Sequence, residues 1–289
     1  MQNKNKLDLW VKEVFQDNVS LGFRVDKVLF SERSKYQQVD IVKTTGHGKM
    51  LLNDGMVMLS EKDEFVYHEM IAHVPLFSHP NPDNILIIGG GDGGTAREVL
   101  KHKNVKKVTL VEIDKLVVNA CKKHLPKLSK SFNDPKMNLL IDDGVKFVNE
   151  TKDKFDIILI DSTDPVGPAT PLFNREFYES ASKILNDDGI LISQAESPFY
   201  NQDIQLSMMK AQRDFFKTLN IFLLSNLTYP GGLWSFGFAS KGDISFKTDT
   251  TEKFKDSGIK TKYYNPDVHL ASFVLPDFIK ENLSGIIDN

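Results

Sequence analysis

From Ile85 to Val99 the chain reads Ile-Leu-Ile-Ile-Gly-Gly-Gly-Asp-Gly-Gly-Thr-Ala-Arg-Glu-Val, and this stretch decides the fold. Its four leading apolar residues predict a short strand that is buried on both faces, as in a parallel sheet. The next six residues, Gly89 to Gly94, are glycines except for Asp92, so most of this backbone carries no side chains. A helix can continue from Thr95. This combination favours a nucleotide site, because free N–H groups at a helix N-terminus point at the ligand.

An acidic residue follows at the spacing that a ribose requires. Glu112 lies twenty residues after Asp92 and ends the strand-like run 107–111. A carboxylate at this position can accept hydrogen bonds from both ribose hydroxyls. Glycine clusters also form plain tight turns, but the strand, the helix and the acid together indicate nucleoside binding.

The composition is that of a globular protein of ordinary charge. The 289 residues suit one large or two smaller domains, and 40% of them are hydrophobic. A net charge of −3 without long basic runs argues against nucleic acid as a partner. The N-terminus carries no signal pattern, and no apolar run approaches the roughly 20 residues that span a bilayer. We therefore expect a cytoplasmic protein with no membrane partner.

Residues 1–75 differ in pattern from the rest and predict a small antiparallel β domain. Short alternating runs are broken by two hairpin turn signals, Gly46-His47-Gly48 and Asn53-Asp54-Gly55. Glu64 to Val74 reads as a helix, and the prolines between His79 and Asp83 mark a boundary. The alternating runs are Leu21–Phe30, Gln38–Thr44 and Lys49–Leu59.

Residues 76–289 alternate between strands and helices. This order predicts an α/β fold with a Rossmann-like, methyltransferase-type doubly wound sheet, whose ligands bind beyond the carboxyl ends of the strands. A final hairpin is expected from 234–239 and 269–275. The expected strands are 85–88, 107–111, 137–141, 155–160, 189–194 and 219–224, and the expected helices lie near 94–102, 114–124, 144–150, 174–185 and 203–217.

Acidic residues follow four of the predicted strands. They are Asp92, Glu112, the pair Asp142 and Asp143, and the segment Asp161-Ser162-Thr163-Asp164. Each alone suits a surface loop or a helix N-cap, and for Asp142 or Asp143 capping is an equally good interpretation. Together they predict a carboxylate-rich pocket at one edge of the sheet, which would hold a cationic ligand.

The nucleoside half of this pocket suits two classes of enzyme. Glu112 would bind the ribose and Asp143-Gly144 the adenine, as in S-adenosylmethionine-dependent methyltransferases and in dinucleotide enzymes. Asp92 would repel a pyrophosphate, and it would equally repel the carboxylate of ordinary S-adenosylmethionine. An ammonium alone would be attracted, so the charge pattern favours a decarboxylated cofactor.

The second substrate is predicted to be an amine. Asp161 and Asp164 are three residues apart, so two carboxylates would lie near the reacting centre. An aliphatic amine has a pKa of about 10 and is not nucleophilic while it is protonated. Attack on a carbon beside a sulfonium therefore requires a base close to the amine nitrogen.

The chain closely resembles the spermidine synthases, which are aminopropyltransferases that use decarboxylated S-adenosylmethionine. The resemblance covers about residues 7–280, and its most specific run is Glu61-Lys-Asp-Glu-Phe-Val-Tyr-His-Glu-Met70. The other matching stretches are Tyr36-Gln37, Leu52 to Gly55, His79 to Pro82, Gly89 to Gly94, Val111 to Asp114, Asp142 to Gly144, Asp161 to Pro168, Thr228 to Pro230, and Lys262 to Asn265.

The resemblance implies a role for each candidate site residue. Asp161 would accept the proton of the attacking amine, and Asp164 would bind the distal part of the diamine. Taken alone, Tyr67 and His68 would be half-buried helix residues and Gln37 an ordinary strand residue. The implied amine-binding set is Tyr67, His68, Asp92, Asp161, Ser162, Thr163, Asp164 and Tyr229, and the set that holds the methylthioadenosine part is Gln37, Gly89, Gly91, Glu112, Ile113, Asp143, Gly144 and Pro168.

We therefore expect transfer of a 3-aminopropyl group from decarboxylated S-adenosylmethionine to putrescine, giving spermidine and 5′-methylthioadenosine. No metal is expected, since His and Cys residues form no cluster at ligand spacing. The resemblance also implies a homodimer or homotetramer. Alternative activities are aminopropyl transfer to agmatine, cadaverine or spermidine, and N-methyl transfer from intact S-adenosylmethionine. A catalytically silent polyamine-binding module is a further alternative.

One residue departs from the family pattern. Met58 lies where many members carry Gln near the amine channel, and this puts the preferred amine length in doubt. Trp234 either closes the same end of the channel or belongs to the core.

Overall fold

The computed structural model describes residues 8–165 and 167–288. They form a five-stranded sheet followed by a seven-stranded sheet with helices. The expected first domain, residues 1–75, starts in a segment (1–7) that lies outside the described residues. Within the described part of the chain, no helix is both long and apolar enough to cross a membrane.

The first sheet is antiparallel, in the order β1-β2-β3-β4-β5. Both predicted turns are confirmed: 45–48 joins β3 to β4, and Asp54 and Gly55 join β4 to β5 with φ angles of 47° and 85°. β1 was not predicted from the pattern of the sequence, because most of its side chains are exposed on both faces. The strands are β1 (Leu9–Phe15), β2 (Val19–Arg33), β3 (Gln38–Thr44), β4 (Lys49–Asn53) and β5 (Met56–Ser60).

The second sheet is mixed, in the order β11-β12-β10-β9-β6-β7-β8. Strands β10, β9, β6, β7 and β8 are parallel, and β12 runs antiparallel to both of its neighbours. This α/β, Rossmann-like architecture confirms the predicted fold class. The strands are β6 (Asn84–Gly89), β7 (Lys107–Glu112), β8 (Met137–Ile141), β9 (Phe155–Asp161), β10 (Leu185–Gln194), β11 (Thr218–Ser225) and β12 (Leu233–Ser240).

Helices cover the two faces of the second sheet, and this explains the unbroken apolar run of β6. Ile85 and Ile87 pack into one core cluster, with helix α1, while Leu86 and Ile88 pack into the other, with α6 and α7. Neighbouring side chains of a strand point to opposite faces, so both sets must be apolar. The helices are α1 (Glu64–Ser78), α2 (Gly94–Val99), α3 (Lys115–His124), α4 (Pro126–Ser129), α5 (Gly144–Glu150), α6 (Arg175–Ile184), α7 (Gln202–Arg213), α8 (Thr251–Ser257), α9 (Pro266–Ser272) and α10 (Asp277–Asn282).

The predicted final hairpin is wrong in its second strand. The segment 234–239 does form β12, but it pairs with β11 and β10, and 266–272 is helix α9. Asn265 caps this helix by accepting a hydrogen bond from the N–H of Val268 (2.8 Å), and Pro266 occupies its first turn. An Asn-Pro start is a helix signal that outweighs the apolar run after it.

Gly89 lies where β6 meets β9, and it cannot carry a side chain. Its φ is 84°, and an added Cβ would lie 2.1 Å from the main-chain oxygen of Asp161. Gly55 has the same left-handed conformation (φ 85°) but open space around it. We expect Gly55→Ala to lower the free energy of unfolding by about 1–2 kcal/mol through backbone strain alone. Gly89→Ala is expected to lower it by a further ~1–3 kcal/mol, because two paired strands must separate.

Urea unfolding of both variants at one protein concentration measures these differences. Equal losses for Gly55→Ala and Gly89→Ala would contradict the close approach of β6 to β9.

Candidate active site

A cleft lies at the carboxyl ends of β6, β7, β8 and β9, where the first sheet meets the second. It encloses about 1130 Å³ together with its solvent-filled mouth. The structure brings most of the predicted site residues together in its wall, whereas Asp164 lies outside the set of described residues that line it. The predicted residues in the wall are Gln37, Tyr67, His68, Gly89, Gly91, Asp92, Glu112, Ile113, Asp143, Gly144, Asp161, Ser162, Thr163, Pro168 and Tyr229.

Glu112, at the end of β7, is held against the glycine turn. Its Oε2 accepts the N–H of Gly91 (3.1 Å) and its Oε1 accepts the N–H of Asp114 (2.8 Å). A Cβ on Gly91 would lie 2.7 Å from Oε2, so only glycine permits this contact. Burial raises the pKa of Glu112 to about 7, although both N–H groups oppose the shift. The carboxyl group is thus oriented by the backbone, with lone pairs left for a ligand hydroxyl.

An apolar slot with one carboxylate at its edge lies beside Glu112. Ile113, Val145 and Leu172 line it, as does the backbone of Gly144. Asp143 is the N-cap of α5, and its Oδ1 accepts the N–H groups of Val145 (2.8 Å) and Lys146 (3.3 Å). Capping and ligand binding are therefore compatible interpretations of Asp143, because the second carboxylate oxygen is not used by the cap.

Gln37 reaches this half of the cleft from the first sheet. Its Nε2 donates to Oδ2 of Asp114 (3.1 Å), and the hydroxyl of Ser34 donates to the same oxygen (2.7 Å). Asp114 also caps α3 through its Oδ1, which accepts the N–H of Leu116 (2.9 Å). One carboxylate thus fixes both a helix start and the contact between the two sheets.

His68 and Asp92 form a buried ion pair at the other end of the cleft. Nε2 of His68 lies 3.4 Å from Oδ1 of Asp92, and Nδ1 lies 2.6 Å from Oε2 of Glu64. Burial alone would lower the pKa of His68, but the two carboxylates outweigh it and raise this pKa to about 10. In the same way, burial opposes the ionised form of Asp92, and His68 holds its pKa below the ordinary value. The imidazole is therefore protonated at neutral pH.

Asp161 ends β9 next to this pair. The hydroxyl of Thr95 donates to its Oδ2 (2.6 Å), and the N–H of Gly90 donates to its main-chain oxygen (2.8 Å). Burial and the nearby charge of Asp92 raise the pKa of Asp161 to about 6, against the opposing charge of His68. A carboxylate with such a pKa is ionised at neutral pH and is still basic enough to accept a proton.

Two tyrosines line the cleft near Asp161. The rings of Tyr67 and Tyr229 stand edge to face with centroids 6.0 Å apart, and the Tyr229 hydroxyl donates to the main-chain oxygen of Met58 (2.9 Å). Met58, the residue that departs from the family pattern, also lines the cleft. Trp234 is only 3% exposed and packs 5.0 Å behind the Tyr229 ring, so it belongs to the core.

Asp164 belongs to a second acidic cluster that the sequence did not reveal. Nε2 of Gln194 donates to Oδ1 of Asp164 (3.1 Å) and to Oε1 of Glu196 (3.0 Å). Glu196 is fully buried, adopts a left-handed φ of 64° and accepts a hydrogen bond from Asn201. Burial and Asp164 raise the pKa of Glu196 to about 8, and burial raises that of Glu13, on β1, to about 7. A carboxyl group with a raised pKa holds its proton near neutral pH and releases it when a cation binds close by.

Two groups of side chains bring candidate metal ligands within 4.8 Å of one another: His68, Asp92 and Asp161, and His79, Asp156 and Asp188. In the first group His68 is protonated between two carboxylates, so neither of its nitrogens has a lone pair to offer. In the second group Nδ1 of His79 accepts the N–H of Asn81 (3.2 Å), which assigns the proton of the neutral ring to Nε2. The histidine of each group is therefore already engaged, His68 by Glu64 and Asp92 and His79 by Asn81.

Comparison with known proteins agrees with this geometry. Two family models match the chain: a spermidine synthase tetramerisation domain over residues 9–61 and a spermine/spermidine synthase domain over residues 64–249. The chain is 46% identical to a polyamine aminopropyltransferase of Methanocaldococcus jannaschii, with 99% of each chain covered. It is 43% identical to one of Clostridium perfringens, over 97% of this chain and 99% of that one.

Solved structures match equally well. A crystal structure of spermidine synthase in complex with the transition state analogue AdoDATO superposes with a TM-score of 0.92 at 43% identity, covering 95% of this chain and 94% of that one. Spermidine synthase from Thermotoga maritima superposes with a TM-score of 0.88 at 41% identity, covering 96% and 95%.

The buried carboxyl of Glu196 makes stability depend on pH. Its pKa is about 8 in the folded protein against 4.5 in the unfolded chain, so the folded state holds the proton more tightly. Folding stability from this group is therefore lost as the pH rises from about 4.5 through 8. We expect Glu196→Gln, which stays neutral, to be more stable than the wild type at pH 9 by up to about 5 kcal/mol.

The difference is measured by urea unfolding at pH 5, 7 and 9 without ligand, with the exposed Glu150→Gln as control. Parallel stability curves for the wild type and Glu196→Gln would show that Glu196 is ionised in the folded protein.

Proposed function

The chain belongs to the spermine/spermidine synthase family of aminopropyltransferases, and from this we propose that it makes spermidine. The 3-aminopropyl group of decarboxylated S-adenosylmethionine would pass to putrescine, with 5′-methylthioadenosine as the second product. One observation carries the proposal: Asp161, Asp92 and the protonated His68 bring their polar atoms within 4.8 Å of one another beside the glycine turn.

The nucleoside half of the donor would bind along the ends of β6, β7 and β8. Glu112 would accept hydrogen bonds from the ribose hydroxyls, and the adenine would lie in the apolar slot with Asp143 at its edge. Gln37 and Pro168 would complete this half from either side. The relative bound to the analogue AdoDATO supports a donor of this kind, since it superposes on nearly the whole chain.

The charge of Asp92 favours the decarboxylated donor. Its carboxylate is held ionised by His68 and by the N–H of Gly94, which donates to Oδ1 (2.7 Å). A donor carboxylate at this point would meet a like charge at short range, whereas the ammonium of an aminopropyl group would meet an opposite one. The same comparison disfavours N-methyl transfer from intact S-adenosylmethionine.

The reaction is a single in-line displacement. Putrescine arrives as an ammonium, and Asp161 takes the proton that blocks the nitrogen lone pair. The nitrogen then forms a bond to the carbon beside the sulfonium, while the C–S bond breaks and its electron pair passes to sulfur. Sulfur becomes a neutral thioether, and the product nitrogen carries the positive charge. Ser162 and Thr163 would border the reacting amine, and Tyr67 and Tyr229 would enclose the aliphatic chain.

The distal ammonium of putrescine would bind at the second acidic cluster. Asp164 and Glu196 share the amide of Gln194, and the charge of Asp164 also acts on Glu13. No metal takes part in this scheme, since the charge that a metal would supply is already carried by the substrates.

The function is tested by mass spectrometry of the products formed from decarboxylated S-adenosylmethionine and a mixture of putrescine, cadaverine, agmatine and spermidine. We expect spermidine to dominate. We further expect Asp161→Asn to lower kcat by about 100- to 10,000-fold, because the amine keeps its proton. Binding of methylthioadenosine should survive in this variant.

In the wild type, kcat/KM should rise with pH around a midpoint of about 6 as Asp161 loses its proton, and should level off above that until other groups titrate. The exposed Asp153→Asn is the matched control. Loss of methylthioadenosine binding together with turnover in Asp161→Asn would assign Asp161 a structural role, and methylated products would overturn the function.

We also propose that the first sheet assembles the chain into a homo-oligomer. Trp10 and Val14, four residues apart on one face of β1, are 51% and 62% exposed, and Val28 on β2 is 51% exposed. An exposed apolar face of this kind is typical of an interface. The match of residues 9–61 to a tetramerisation domain supports the same face.

We expect the double variant Trp10→Ser/Val14→Lys to form a smaller species than the wild type, because a buried lysine disfavours the interface. Light scattering after gel filtration measures the masses. Val274→Lys, at an apolar residue that is 73% exposed elsewhere, should leave the oligomer intact. An unchanged mass for the double variant would place the interface on another face.

A further inference from the structure

Behind the reaction centre, five side chains of alternating charge form a ladder of ion pairs. Successive partners are 3.4, 2.6, 2.8 and 2.7 Å apart. Their side chains are between 1% and 18% exposed, so water screens these pairs little. In order from the cleft inward they are Asp92, His68, Glu64, Arg97 and Glu98.

Arg97, on α2, uses both edges of its guanidinium. Nη1 and Nη2 donate to the two carboxylate oxygens of Glu64 (3.0 and 2.8 Å), and Nε donates to Oε1 of Glu98 (2.7 Å). Glu98 is anchored in turn by Lys101 and by Nε2 of His73 (3.1 Å). A bidentate pair fixes the orientation of a carboxylate as well as its charge. Arg97 therefore decides where the carboxylate of Glu64 points.

Glu64 in turn orients the imidazole of His68. The backbone of α2 packs directly on this ring, since a Cβ on Gly94 would lie 2.2 Å from its Cε1. With the ring confined on that side, the bond from Nδ1 to Glu64 directs Nε2 towards Asp92. Burial opposes ionisation of Glu64, yet His68 and Arg97 lower its pKa to about 2, so the carboxylate stays charged.

We propose that Arg97 is a positioning residue of the reaction centre, acting through Glu64 and His68. Together with Lys101, which pairs with Glu98, the alternating charges of the ladder cancel in pairs. Asp161 is left as the uncompensated carboxylate that attracts the ammonium and takes its proton. This inference rests on the proposed function and adds residues that the resemblance to the family did not assign.

The proposal makes Asp161 sensitive to each charge of the ladder. Removal of a cation from the ladder should raise the pKa of Asp161, and removal of an anion should lower it. None of the other groups that act on Asp161 is substituted in the variants of this test. From the elements around it, the polar and titratable groups facing Asp161 are Tyr67 and His68 of α1, Asp92 after β6, Thr95 of α2, Glu112 of β7 and Tyr229 between β11 and β12.

The test is the acid limb of kcat/KM, which reports the pKa of the free enzyme. We expect Arg97→Met to shift the midpoint of this limb to a pH that is higher by roughly 0.5–1 unit. Glu64→Gln should shift the midpoint to lower pH by a similar amount. The double variant Arg97→Met/Glu64→Gln loses one charge of each sign, so its limb should return towards that of the wild type. The control is Arg175→Met, which removes an exposed arginine paired with Asp214 and should leave the limb in place.

If Arg97 and Glu64 only supported the fold, their substitution would lower activity without shifting the acid limb in opposite directions. Shifts of the same sign, or no shift, therefore overturn the proposal. If Arg97→Met does not fold, the test uses Arg97→Lys and Glu64→Gln. Arg97→Lys keeps the positive charge, so the acid limb should stay at the wild-type pH. Its kcat should fall, because lysine lacks the two parallel N–H donors that orient Glu64.

A second measurement separates this inference from the proposed function. The same opposite shifts should appear in the titration of the Asp161 carboxyl carbon by 13C NMR without substrate. A wild type that forms no spermidine would overturn the proposed function, whereas NMR titrations that coincide in all variants would overturn the ladder.

Discussion

A protonated imidazole held between two carboxylates is the interaction on which the reaction centre depends. His68 is buried, where a positive charge is unfavourable, and only the charges of Asp92 and Glu64 keep it ionised. With this cation in place, Asp92 stays charged next to Asp161, and the two carboxylates need not share a proton at neutral pH. Without it, the like charges would drive one of them neutral.

The cleft is completed by the contact between the two sheets. Asp63, just before α1, accepts the N–H and the hydroxyl of Thr228 (3.1 and 3.0 Å) and the hydroxyl of Ser60 (2.5 Å), which ties the end of β5 to the loop that carries Tyr229. Asp114 makes the corresponding tie at the nucleoside end. Each half of the cleft is therefore held by one buried carboxylate that joins the first sheet to the second.

Much of this architecture was predictable because it follows from local patterns. The apolar run of β6, the glycines after it and the offset of Glu112 predict the fold and the proposed nucleoside site within one short stretch. Asp92, Glu112, Asp143 and Asp161 converge because parallel strands end at the same edge. The ribose role proposed for Glu112 follows from its spacing, whereas the roles proposed for Gln37, Tyr67 and His68 came only from the resemblance to the family.

Other parts were not predictable, because their signals lie in three dimensions. Glu196 stands in an ordinary segment, and nothing in the sequence indicates its left-handed backbone or its approach to Asp164. Arg97 lies inside the glycine motif, but its partner Glu64 is thirty-three residues away. The helix at 266–272 was missed although the Asn-Pro cap was visible, because apolar residues after it also suit a strand.

Asp114 and Asp143 each begin a helix and also orient a wall of the cleft. A substitution at either position would remove a helix cap and disturb the wall of the cleft in one step, so a compensating mutation would have to restore both. Positions with two structural roles restrict the substitutions that the protein can accept during evolution. Divergence towards new substrates should therefore proceed through side chains of the cleft wall that begin no helix, such as Met58, and leave these two aspartates unchanged.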